Sequence, residues 1–153
     1  MKKFWNEQRS MQLSRGLVLL FGGLLVALDV TGPWFVKFVC SNVIFHTGLR
    51  FELPLLICLY ACSIPGYVVL VDLYRLLRNL EKELVFVPEN VTLMRRVSWC
   101  CVAVAVVCLI CSATWLSLFV VALAAALMAL IVRIVKNVFV RAIRMKDELD
   151  LTI

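Results

Sequence analysis

The sequence predicts an all-α integral membrane protein, a four-helix bundle of two helical hairpins with the N- and C-termini cytoplasmic. Three observations carry that expectation. Of 153 residues, 63% are hydrophobic and 17% charged, more apolar material than a soluble domain of this size hides from water. The apolar residues fall in runs long enough for the roughly 30 Å hydrocarbon core of a bilayer. The 16 Lys and Arg residues lie at the ends of those runs, 14 on one side and two, Lys37 and Arg50, on the other. Enrichment of Lys and Arg in cytoplasmic loops then sets the orientation.

The first apolar run, 13–38, follows a basic start of Lys2, Lys3, Arg9 and Arg15. Such a start also resembles a signal peptide. No small-x-small site closes the run, and Asp29 and Pro33 follow instead, so an uncleaved span over about 13–36 is expected. The second span, about 53–74, continues with helical character through Asp72, Arg75, Arg78 and Lys82. Asp72 and its charged successors read as a solvated helix surface. Pro65-Gly66 interrupts this span, where a kink is the expected consequence.

Pro88, Glu89 and Asn90 in VFVPENVTLMRR read as a turn opening a new helix, since a proline and an acid suit a first helical turn. Residues 97–132 contain no charge. Those 36 residues would make a helix of about 54 Å, too long for one span. Ser112-Ala113-Thr114 is the polar interruption that can hold a tight connection, giving spans of about 93–112 and 115–134. Merging the two would put Arg133, Lys136, Arg141, Arg144 and Lys146 outside, against the positive-inside bias. Trp34 and Trp115 then fall at the outer interface, Trp5 and Trp99 near the inner one. Helical periodicity continues as a cytoplasmic tail over 135–153, and the whole chain, 1–153, reads as one domain.

Chemistry is sparse. Asp29 is the one acid placed well inside a span. An intramembrane acid is a functional hypothesis by default, as a proton or cation site in a transport path. The bland alternative is that Thr31-Gly32-Pro33 ends the helix early and leaves Asp29 at a wet interface, and this is the reading favoured. Cys58 and Cys62 belong to the outer half of the second span, Cys108 and Cys111 to a similar depth of the third. Spacings of four and three put each pair on one helix face, so a thiol cluster is geometrically possible. The expectation is nevertheless that free cysteines pack as small hydrophobes, with no metal and no cofactor. His46, without neighbouring ligands, reads as an ordinary loop residue. No phosphate loop, HExxH or activated nucleophile is present, so no enzyme is expected. The net charge of +6 is assigned to orientation and to anionic lipid heads, with no direct nucleic acid binding.

The stretch LLRNLEKELVFVPENVTLMRRVSWC and the ending RMKDELDLTI resemble the domain of unknown function 2975 family of small four-helix bacterial membrane proteins. Phe86, Asn90-Val91 and Met94-Arg95 match its turn into the third helix. Glu148 and Asp150-Leu151-Thr152-Ile153 match its closing segment. Pro88 and Met94 depart from the usual pattern. The resemblance extends over the chain in length and span layout, but its specific residues are confined to these two stretches. It implies a bacterial cell membrane location and, because members are often encoded beside a small helix-turn-helix protein, a regulatory or sensory role with such a cytoplasmic partner. On that reading Asn90, Arg95, Glu148, Asp150 and Thr152 form or support a docking surface. The alternative, from a different class, is a small transporter or pore subunit, a homo-oligomer using Asp29.

Overall fold

A computed structural model of the chain describes residues 2–42, 49–82, 84, 87–113 and 115–151, with side chains described over 12–41, 52–82, 84, 87–113 and 115–149. Four helices account for it: α1 (Lys2–Asn42), α2 (Leu49–Glu81), α3 (Pro88–Cys111) and α4 (Ser117–Leu151). Segments Gln12–Ser41, Glu52–Glu81, Pro88–Cys111 and Ser117–Leu149 are each long and apolar enough to cross a membrane. His46 lies outside the described residues.

The helices pack in series, α1 on α2, α2 on α3 and α3 on α4, with the α3–α4 contact the most extensive. The starts of α1 and α3 and the ends of α2 and α4 lie at one end of the bundle, the terminal end, and the opposite ends of the four helices lie at the far end.

What faces inward is mostly small or polar, beside Val36, Leu93 and Trp115. Cys40, Cys58, Ser63, Asp72, Asn90, Ser98, Cys108, Ala122 and Ala129 are buried, while Val30, Trp34, Ile64, Ile110, Leu116 and Val120 point outward. Such a surface suits hydrocarbon. With no hydrophobic force between helices in lipid, small side chains and hydrogen bonds hold the contacts. On α4, Ala122 and Ala129 bring the backbone close enough for Ser98 Oγ of α3 to donate to the Ala129 carbonyl at 3.1 Å.

Helix α1 corrects the favoured reading of Asp29. It does not stop at Thr31-Gly32-Pro33 but continues through Pro33 to Asn42. Proline removes the N–H that would bond the carbonyl four residues earlier, and here that carbonyl belongs to Asp29. Tyr60 of α2 supplies the missing donor, its hydroxyl lying 3.1 Å from Asp29 O. A neighbouring helix can satisfy a freed carbonyl inside a membrane. Gly32 permits the approach: a Cβ there would lie 2.8 Å from Leu59 Cδ2. Helix α2 likewise runs unbroken across Pro65-Gly66.

Helix α3 starts with Pro88 at its first turn and Glu89 behind it, as the turn chemistry anticipates, but five residues earlier than the expected span. Of the far-end connection, residues 112, 113, 115 and 116 are described, and Thr114 lies outside the described residues. Ser112 closes α3, its N–H bonding Cys108 O at 2.9 Å and its Oγ Leu109 O at 2.6 Å. Trp115 lies in the connection between α3 and α4, outside both apolar segments. It is buried, packing with Val36 and Cys40 of α1 beside Leu55, Leu56 and Leu118, because the tight turn aims it inward. Helix α4 is one unbroken element of 35 residues, about 52 Å. Ser98 sits opposite Ala129, so Pro88 falls opposite about residue 139 and the remainder of α4 overhangs α3 by roughly 18 Å.

Candidate functional site

Helix α2 carries two opposed polar stripes. Tyr60, Ser63 and Tyr67 recur at spacings of three and four, one face of a helix, and this face meets α1. Cys58, Cys62, Asp72 and Asn79 lie on the other side and meet α3.

The α1 side assembles around Asp29. Tyr67 donates to Oδ2 at 2.8 Å, and Ser63 Oγ lies 2.5 Å from Oδ1. Ser63 Oγ is also 3.0 Å from Leu59 O. A hydroxyl has one hydrogen, so it serves the carboxylate or the backbone at any instant. The carboxylate is half-buried, near the middle of the apolar segment Gln12–Ser41. Such a group can hold a proton or a cation and pass a proton to a hydroxyl neighbour.

The α3 side carries the thiols. Sulfur atoms of Cys58, Cys62 and Cys108 lie within 4.8 Å of one another, with Cys62 and Cys108 3.8 Å apart. Cys111 belongs to the same packed cluster, reaching toward the Pro54 carbonyl at 4.0 Å. A cavity of about 340 Å³ reaches Cys58, Cys62, Cys108 and Ser63, so the thiols and the serine bound to Asp29 border one space.

Toward the terminal end, Asp72 is 1% exposed, which corrects its reading as part of a solvated surface. Arg96 of α3 lies 3.4 Å from Oδ1, and Oδ2 has no hydrogen-bond partner among the described residues. The arginine itself is half-exposed, at 52%. Nearer the turn, Asn79 Nδ2 donates to Asn90 Oδ1 at 2.9 Å, and Asn90 Nδ2 donates to Leu84 O at 2.8 Å. On the outer side of α2, Arg15 of α1 donates to Tyr74 Oη at 2.5 Å and sits 3.7 Å from Glu81.

Of the proposed docking residues, the structure describes the side chains of Asn90, Arg95 and Glu148. Asn90 is 1% exposed and closes the α2–α3 turn from inside. Arg95 and Glu148 are exposed. Arg95 falls opposite about residue 132 of α4, which puts Glu148 about 24 Å further along the axis. The side chain of Asp150 and all of Thr152 lie outside the described residues. Replacing Asn90 by alanine removes both bonds and leaves the Leu84 carbonyl without this donor. A loss of about 1–3 kcal/mol is expected, read as a lowered unfolding midpoint of the purified protein. An unchanged midpoint would show that the turn is held by other contacts.

Sequence reasoning missed Ser63, Tyr67, Asn79 and the Asp72–Arg96 pair. The hydroxyl stripe was legible as a spacing in YACSIPGY. The pairing of Asp72 with Arg96 left no local signal.

These features define an all-α protein with four helices long and apolar enough to span a membrane, whose polar groups are turned toward one another inside the bundle. No curated protein and no solved structure matches the chain. The family described as protein of unknown function (DUF2975) matches residues 45–153, and the chain belongs to it. That match takes in α2, α3 and α4. Asp29 lies outside it, while Ser63, Tyr67 and the four clustered thiols lie within.

Proposed function

We propose that this is a non-enzymatic multi-pass protein of a bacterial cell membrane, acting as the embedded partner of a cytoplasmic regulator. The observation that carries the reading is the α4 overhang. The helix continues past the start of α3 without a break, where Arg141, Arg144 and Met145 are exposed. A helix that leaves the bundle with both charged and apolar groups in reach of the aqueous phase can engage a soluble protein. The 14-to-two division of basic residues supports a cytoplasmic position for that end and attraction to anionic lipid there. The family resemblance supports a small helix-turn-helix protein as the partner. The expected result is co-purification with such a protein from the native host in mild detergent, lost when 140–153 are deleted. Recovery of the full chain alone under those conditions would sink the reading.

A second reading rests on Asp29, whose two hydroxyl partners lie deep in the apolar helices. A homo-oligomer could use it to conduct protons or small cations. Flux through reconstituted vesicles, abolished by Asp29→Asn, is its expected signature. Wild-type vesicles no leakier than empty ones would exclude it.

A further inference from the structure

We propose that Cys58, Cys62 and Cys108 bind one soft, closed-shell monovalent cation of the Cu(I) type. Their sulfur atoms lie within 4.8 Å of one another. Metal–thiolate bonds of about 2.3 Å hold two sulfurs on one ion roughly 3.8–4.0 Å apart, and the Cys62–Cys108 separation is 3.8 Å. Two ligands come from successive turns of α2 and one from α3, so the geometry is preset by the helix contact and needs only small side-chain rotations. Cys111 packs against the cluster that holds Cys58 and Cys108, which places a fourth thiol beside the ligands. The 340 Å³ cavity between α1, α2 and α4 supplies an approach to the cluster.

The class of ion follows from softness and charge. Thiolates select soft cations over hard ones. No basic side chain among the described residues lines the cavity, and a net charge in apolar surroundings is costly. A monovalent ion held by one thiolate and two thiols is neutral, and by two thiolates carries one negative charge. Zn(II) prefers four ligands, and Cys111 is not among the three sulfurs that lie within 4.8 Å of one another. Every thiol that binds as thiolate releases its proton to water, so affinity falls as pH is lowered.

The test uses the full chain in lipid nanodiscs, reduced and kept anaerobic, titrated with Cu(I) against a chromogenic Cu(I) chelator and in parallel with Zn(II). One Cu(I) per chain is expected, lost in Cys62→Ser and in Cys108→Ala. The Cys100→Ser, Cys101→Ser double variant, altered on α3 outside the cluster, should keep it. Cys111→Ala, altered next to a ligand, should bind about tenfold more weakly. X-ray absorption of the wild-type copper complex keeps the test independent of how well a variant folds. Two or three sulfur neighbours at about 2.3 Å are expected, and oxygen or nitrogen neighbours would overturn the site. So would Cu(I) binding that survives Cys62→Ser, loss of binding in the Cys100, Cys101 variant, or Zn(II) taken up in preference to Cu(I). A Cys62–Cys108 disulfide found by thiol counting in protein isolated from its host would overturn it as well.

Discussion

Replacing Arg96 by leucine is expected to lower stability by about 2–4 kcal/mol, while the double variant Asp72→Asn, Arg96→Leu recovers most of the loss. The asymmetry comes from burial. Asp72 is 1% exposed and has one carboxylate oxygen with no partner among the described residues. Its other oxygen has Arg96 at 3.4 Å. Arg96 is half-exposed, so its own desolvation is modest and it can return to water at little cost. The carboxylate cannot. Removing the arginine leaves an uncompensated buried charge, and breaking such a pair costs far more than the pair contributes. Asp72→Asn alone removes the charge that needs compensation, and it is expected to be close to neutral. Reversible unfolding in mixed micelles, followed by helicity, would rank the four proteins. A single Arg96→Leu variant as stable as the double would show that Asp72 is compensated elsewhere.

The double variant Ser63→Ala, Tyr67→Phe is expected to lose about 2–4 kcal/mol, and Asp29→Asn under about 1. The physical reason again lies in which group is left behind. The two hydroxyls hold the two oxygens of Asp29 at 2.5 and 2.8 Å. Without them a carboxylate faces apolar helices with neither donor, and desolvation is uncompensated. Asparagine keeps an acceptor oxygen and carries no charge, so Asp29→Asn leaves the α1–α2 contact largely intact. The Tyr60 bond to the backbone of residue 29 is untouched in both. Comparison of unfolding midpoints decides it, and equal midpoints for wild type and the double variant would show that the hydroxyls contribute nothing. The same pair of variants bears on flux. Asp29→Asn tests the carboxylate in a folded protein, so loss of conduction there cannot be assigned to collapse of the helix pair.

The spans were legible because length and charge are one-dimensional quantities. A charge-free stretch of 36 residues cannot be one span of a 30 Å core, and parts of two helices, α3 and α4, occupy it. The first helical turn at Pro88 follows from local chemistry in the same way. The thiol cluster was partly legible, since depth and spacing grouped Cys58, Cys62, Cys108 and Cys111. Asp29 misled because Pro33 reads locally as a helix end. The hydroxyl that lets the helix continue belongs to Tyr60, 31 residues away. The burial of Asn90, a matched motif residue inside a turn, left no local signal in the sequence.

The sequence by itself therefore determined how many helices there are and roughly where each ends, because hydropathy, helical rise and positive-charge bias act along the chain. Only the tertiary structure decided which polar groups meet. Asp72 finds Arg96, Asp29 finds Ser63 and Tyr67, and three thiols converge from two helices. Those meetings depend on how each helix is rotated about its axis. That rotation is set by small residues such as Gly32, Ala122 and Ala129 at the contacts, and an almost uniformly apolar helix surface carries too little pattern to reveal it.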